Sequence, residues 1–386
     1  MDNDSSPAIM FLAGDPSGDE HSAPIVRRLL QNYPDAYLFG VGGPAMTDAG
    51  FHPVLPFEPF NRMGFSEVIS GLAFFLRARR HLRRLMVQIR PKLLVCVDFP
   101  GFNLIMMKMA HKLSIPVVWY IAPKVWAWKK KRAGILGKYA SSIAVIFPFE
   151  TKIYEPFPAD CVYVGNPLVE SRSRRLIDRK QLGFVQKSRP QNRPWRVALV
   201  PGSRRQEIAS ILPAMVEAVK ELKKTHPDVQ IRYSRYGSLD EKLFASAAAE
   251  PYIAAHTGDL YDLLVWADTA LVTSGTATLQ TALMGVPFVL VYKTSALSYF
   301  LYKQVVTIPH VGLPNIIAGK EIIPECLQQN ANPQTLAGYL RRYIDDTAFY
   351  ENTVKDIGEL QANLGEKITS EHVADLIQKY IETEKR

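Results

Sequence analysis

Five apolar residues, Leu93-Leu94-Val95-Cys96-Val97, run unbroken into Asp98-Phe99-Pro100-Gly101. So short and uninterrupted a run predicts a strand buried on both faces, the kind found in parallel sheets covered by helices. Sheets of that type bind ligands outside the carboxyl ends of their strands. Asp98 therefore reads as a carboxylate delivered by a rigid strand to a ligand crevice, where it can act as a catalytic base. A second reading stands beside it: Asp98 caps the helix that starts near Asn103, or closes the Pro100-Gly101 turn.

The rest of the chain repeats the pattern. Residues 8–13 form an apolar strand running into Gly14-Asp15-Pro16-Ser17-Gly18-Asp19, with a helical pattern to about Leu30. The turn has neither the Walker Gly-Lys-Ser/Thr nor a Gly-x-Gly-x-x-Gly fingerprint, so it marks a place where a ligand can approach the backbone, with Ser17 a ligand contact or simply the helix cap. Further short strands at Tyr37–Val41, Val117–Tyr120 and Ile143–Ile146 predict a doubly wound α/β domain. A second begins at Val197–Val200, which feeds Pro201-Gly202-Ser203-Arg204-Arg205 and an amphipathic helix. Later, Thr269–Thr273 runs into Ser274-Gly275-Thr276-Ala277-Thr278-Leu279-Gln280. Small residues at two helix N-termini, one with an arginine, fit a nucleotide diphosphate; a capped helix with solvated arginines is the plainer reading of the first. With 386 residues and 47% hydrophobic content, the chain exceeds the size at which single cores stop growing.

Composition removes several classes of function. Cys96, Cys161 and Cys326 are far apart without a Cys-x-x-Cys pair, which speaks against a disulfide framework or zinc site. The acidic Met1-Asp2-Asn3-Asp4 start is unlike a signal peptide, and no apolar run approaches the roughly 18 residues of a membrane span. A net charge of +9 invites nucleic acid as partner, yet no recognised nucleic-acid signature accompanies it, and none is expected to bind. An anionic membrane surface suits the charge as well. Phe65 and Phe75 lie on an apolar helical stripe between Met63 and Ile89, Phe74 adds apolar bulk off that stripe, and the same segment carries Arg77, Arg79, Arg80, Arg83 and Arg84. That juxtaposition fits a helix lying on lipid, or else a crossover helix with a wet basic face. Trp126 and Trp128, just ahead of Lys129-Lys130-Lys131-Arg132, offer grips for an acyl chain and a phosphate, or form a packed loop.

Taken together, Gly14 to Asp19, Met63-Gly64 with Glu67-Val68, Asp98 to Asn103, Val125-Trp126-Ala127-Trp128, Pro201 to Arg204, Ser274 to Ala277 and Leu313-Pro314-Asn315 resemble the bacterial lipid-A-disaccharide synthases. These are inverting glycosyltransferases of the GT-B type, with two Rossmann-like domains facing across a cleft. The resemblance implies domains 1–170, completed by helices 350–386 and holding acceptor and membrane, and 171–349, holding the UDP-sugar. It implies transfer of 2,3-diacylglucosamine from UDP-2,3-diacylglucosamine to 2,3-diacylglucosamine 1-phosphate, with no metal or other cofactor, by a cytoplasmic protein held on the inner face of the inner membrane. Asp98 becomes the base. Ser17, Gly202, Ser203, Arg204, Ser274, Gly275, Thr276, Gln280 and Asn315 become nucleotide-sugar contacts, and Phe65, Phe74, Phe75, Arg77, Arg80, Trp126 and Trp128 face acceptor and membrane. Asp15 stands where the family usually has Glu, and Gln280 where many members have Glu. The helical C-terminus suits a return to the first domain or exchange with a partner in a homodimer. Two rivals remain: a UDP-sugar 2-epimerase, which has no use for the apolar-basic segment, and a non-catalytic nucleotide-sugar or lipid-binding protein.

Overall fold

A computed structural model describes residues 6–61, 68–127, 131–178, 187–235, 239–294 and 309–382. Phe65 and Trp128 lie outside the described residues, as do Met63, Gly64, Glu67, Lys129 and Lys130. The chain divides into two compact units, one of residues 1–170 with 366–386 and one of 171–365.

Described strands of the first unit are β1 (Ala8–Ala13), β2 (Tyr37–Val41), β3 (His52–Pro53), β4 (Leu93–Val97), β5 (Val117–Tyr120), β6 (Ser142–Val145) and β7 (Asp160–Tyr163). They form a parallel sheet in the order β3-β2-β1-β4-β5-β6-β7. Alternate residues of β1 point to opposite faces: Met10 and Leu12 join one buried cluster, Ile9, Phe11 and Ala13 the other. Helices on both sides make every residue of β4 buried, which is why its sequence lacks alternation.

In the second unit, β8 (Arg196–Val200), β9 (Gln230–Ser234), β10 (Ile253–His256), β11 (Thr269–Thr273), β12 (Phe288–Tyr292) and β13 (Glu325–Leu327) form a parallel sheet ordered β10-β9-β8-β11-β12-β13. Helices Arg205–Thr225 and Pro333–Asp345 pack together on one face over Leu199, Ile231 and Leu271. Each sheet reverses its strand order at one point, between β1 and β4 in the first unit and between β8 and β11 in the second. Doubly wound sheets bind ligands at that switch point.

The return to the first unit falls at 366 rather than at 350. Helix Thr347–Leu364 stays with the second because its buried side chains find their partners there: the Tyr350 ring meets Trp195 edge-on at 5.4 Å, and Gln361 Nε2 donates to the carbonyls of Ala282 (2.8 Å) and Leu283 (3.1 Å). Only helix Thr369–Glu382 crosses back, burying Val373, Ala374, Ile377 and Ile381 in the first unit's core. Glu170 accepts hydrogen bonds from the Ser370 backbone N–H (2.9 Å) and hydroxyl (2.7 Å), tying this helix to the end of the unit's first segment.

Candidate active site

At the first switch point, Leu12 pairs with Cys96 and Ala13 with Val97, so the turns that follow β1 and β4 emerge side by side. Gly14 is needed there for space: a Cβ at that position would sit 2.8 Å from the Phe99 ring. Asp98 and Phe99 both adopt left-handed backbone conformations, φ 40° and 47°, which cost energy in non-glycine residues and persist only where neighbours enforce them. Asn103 supplies that enforcement. Its buried Nδ2 reaches the carbonyls of Leu12 (3.0 Å), Val97 (3.2 Å) and Asp98 (2.9 Å), stitching both strand ends to one side chain.

The helix after Asp98 begins at Pro100, and Phe99, without a side-chain cap, occupies its N-cap position. The capping reading of Asp98 is thereby removed. Its carboxyl is largely withdrawn from water, which raises its pKa; the nearby Asp15 charge adds to the rise, while Lys124 and the Phe99 amide oppose it, leaving it at about 6. A carboxyl so poised is ionised at neutral pH and still basic enough to accept a proton, matching the requirement for general-base work.

The remaining first-turn residues sort differently from their sequence reading. Asp15, not Ser17, caps helix Pro16–Asn32, its Oδ1 accepting the Gly18 N–H at 2.6 Å, while Ser17 is exposed. Asp19 is buried and accepts three backbone N–H groups, from Gly43, Ala45 and Met46, at 2.8 to 3.0 Å. Sequence reasoning missed this role; the available signal was Gly43-Pro44, a helix start without a side-chain cap of its own.

At the second switch point, Val200 pairs with Val272, setting the Gly202 and Ser274 turns side by side. Gly202 has φ 103°, and a Cβ there would lie 3.4 Å from Thr273 Cγ2 and 2.6 Å from Glu207 Oε2. Ser203 and Arg204 are exposed, the Arg204 guanidinium bonding its own helix's Glu207 at 2.9 Å. Gly275 caps helix Thr276–Leu283 without a side-chain bond, with Thr276 exposed and Gln280 half-buried one turn on. Open amides, hydroxyls and a guanidinium make this end hospitable to an anion.

Asn315 does not belong with them. Its Nδ2 donates to Ile323 O and Glu325 Oε1, both at 2.8 Å, and its Oδ1 accepts from Ile322 N at 2.8 Å and Ile323 N at 2.9 Å. An amide with all four positions occupied has none for a ligand, so Asn315 is a fold key. Phe74 and Phe75 also depart from expectation: they are half-buried, joining Phe60, Phe99 and Phe102 in an aromatic cluster with ring separations of 5.0 to 6.4 Å. Helix Val68–Ile89 exposes Arg77, Arg79, Arg80, Arg83 and Arg84, with Leu76 and Val87 among them. Trp126 is half-buried, and its Nε1 donates to Glu150 Oε1 at 3.0 Å.

Two parallel-sheet domains of this strand order place the chain in the GT-B fold class. Over 98% of its length it superposes on a putative UDP-N-acetylglucosamine 2-epimerase from Listeria monocytogenes (97% of that chain, TM-score 0.64, 14% identity). A calicheamicin glycosyltransferase has the same fold (TM-score 0.60, 16% identity, 98% of this chain and 99% of that one). Sequence narrows the class. Residues 9–379 match the family model for lipid-A-disaccharide synthetase. The chain is 35% identical to a lipid-A-disaccharide synthase of Geobacter sulfurreducens over 98% of both proteins, and 38% identical to one of Anaeromyxobacter dehalogenans over 93% of both. It belongs to the lipid-A-disaccharide synthase family and is a glycosyltransferase; its likeness to the epimerase is one of fold alone.

Proposed function

We propose that this enzyme joins UDP-2,3-diacylglucosamine to 2,3-diacylglucosamine 1-phosphate, forming the β-1,6-linked disaccharide with inversion and releasing UDP. The observation that carries the reading is Asp98: a carboxyl on a forced turn at the switch point, desolvated to a pKa of about 6 and free of any capping duty. The acceptor's 6-hydroxyl attacks the anomeric carbon while Asp98 takes its proton. As the carbon–oxygen bond to UDP breaks, negative charge grows on the diphosphate. The helix N-termini at Arg205 and Thr276, the hydroxyls of Ser203, Ser274 and Thr276, and the Arg204 guanidinium are the groups that meet it. Gln280 offers an amide to the donor's sugar or ribose, and exposed Ser17 lies on the turn beside Asp98's strand.

Acyl chains need an apolar path. The cluster of Phe60, Phe74, Phe75, Phe99 and Phe102 supplies one adjoining Asp98, and the arginines of helix Val68–Ile89 are suited to anionic lipid headgroups, worth about 1 kcal/mol each near such a surface. Among the described residues no helix is long and apolar enough to cross a membrane, and attachment to the inner face of the inner membrane is proposed from the family likeness and these arginines. The deciding assay supplies purified protein with both glycolipids and looks for the disaccharide by mass. Conversion of a UDP-sugar without acceptor would favour epimerase chemistry instead.

A further inference from the structure

Beside Asp98 the first domain holds a cavity of about 210 Å³. Asp98 and Glu150 supply carboxyls to its lining, Lys124 and Arg132 supply cations, and Ile121 and Phe147 supply apolar wall. It is smaller than the roughly 300 to 1,000 Å³ of pockets that enclose a whole drug-sized ligand. Such a space takes the head of an amphiphile and leaves its tails outside.

The cavity is built, not incidental. Glu150 is 1% exposed and spends both oxygens on the surrounding loops: Oε1 accepts the Trp126 indole N–H at 3.0 Å and Oε2 the Phe147 N–H at 3.1 Å. That clamp joins the turn after β5 to the turn after β6, and so sets the stretch carrying Lys124 against the Asp98 wall. Lys124 is exposed, and its charge favours the ionised forms of both Asp98 and Glu150. Burial opposes it, raising Asp98 to about 6 and Glu150 to about 7, so near neutral pH Glu150 is partly protonated beside Lys124. Other titratable groups facing Glu150 are Tyr154, Cys161 and Tyr163, all held uncharged by burial at that pH.

We propose that this cavity receives the phosphorylated sugar head of the acceptor, with Lys124 and Arg132 meeting its phosphate monoester while Asp98 faces a hydroxyl of the same ring. This rests on the transfer reaction above and adds a residue-level rule for choosing the acceptor. A hexose carries its 1-phosphate and its 6-hydroxyl at separate points of one rigid ring, so anchoring the first orients the second. Orientation of that kind is a large part of what an active site contributes to a two-substrate reaction. Glu150 acts as a positioning residue, through Trp126 and the Lys124 turn.

The test compares 2,3-diacylglucosamine 1-phosphate with the same glycolipid lacking its phosphate, at saturating donor. Lys124→Gln should raise KM for the phosphorylated acceptor about 10- to 100-fold, the range expected when one charge-assisted contact is lost, with less than about a twofold effect on the unphosphorylated one. Lys124→Arg should recover most of the loss. Glucosamine 1-phosphate, the head without tails, should compete with acceptor in the wild type and lose at least about tenfold in potency in Lys124→Gln. Glu150→Ala should reproduce the phosphate-specific loss, and Glu150→Gln, which keeps an oxygen for the Trp126 N–H but sets an NH2 against the Phe147 N–H, should show a smaller one. An equal rise in KM for both acceptors, a raised donor KM, or unchanged inhibition by glucosamine 1-phosphate would each overturn the subsite. A wild type that forms no disaccharide would instead overturn the functional reading itself.

Discussion

The two domains share a topology and differ in what they set at the same place in it. Where the first sheet reverses its strand order, the chain presents carboxyls, Asp15 and Asp98. Where the second reverses, it presents Gly202, Ser203, Arg204, Ser274, Gly275 and Thr276, with no side-chain cap on either helix. Carboxyls attract a proton and repel an anion; unpaired amides and a guanidinium do the opposite. On the reading proposed above, one backbone plan serves as proton acceptor in one copy and as diphosphate site in the other, because specificity resides in the turn residues and not in the sheet.

Asp98→Asn tests that contrast most severely. The amide fills the same space but takes no proton, so kcat should fall about 100- to 10,000-fold with UDP affinity unchanged. Near-wild-type turnover would strip the first domain of its chemical role. Next in size, Asn315→Ala orphans the buried amides of Ile322 and Ile323 and should lower the stability of the second domain by about 2 to 4 kcal/mol in a denaturant titration. Weaker UDP binding at unchanged stability would return Asn315 to the ligand.

A related forecast concerns Phe74 and Phe75. Replacing both with Ser should lower stability by about 2 to 4 kcal/mol, less than two full burials, because each ring is half-buried against the aromatic cluster. An unmoved melting temperature with lost vesicle binding would make them purely lipid-facing. Arg204→Ala removes a guanidinium that is 82% exposed and should weaken UDP binding about tenfold at unaltered stability. Smallest is the pH effect. Asp98 must be ionised to act, so kcat/KM should rise through about pH 6 and level off above it, losing tenfold per unit well below. An acid limb that survives in Asp98→Asn would belong to another group.

Much of this was legible in the sequence because it is local. Unbroken apolar runs announce buried parallel strands, and Asp98, Gly202, Ser203, Arg204, Ser274, Gly275 and Thr276 lie within a few positions of a strand's end. What escaped was long-range: Asp19 grips amides from Gly43 to Met46, Asn103 grips Leu12, and Glu150 grips Trp126. Nothing in the periodicity of a segment says which distant donor will fold against it. The partners of the aromatic pair were hidden for the same reason, since Phe60, Phe99 and Phe102 reach it from other segments.

The discontinuity of the first domain orders events during synthesis. Its closing helix, Thr369–Glu382, is made only after the whole of residues 171–365. All of the second domain's residues are therefore synthesised before the helix whose Val373, Ile377 and Ile381 close the core of the first. A chain truncated near residue 365 would keep every residue of the second domain and leave the first with an uncovered apolar face, the kind of surface on which incomplete folds aggregate.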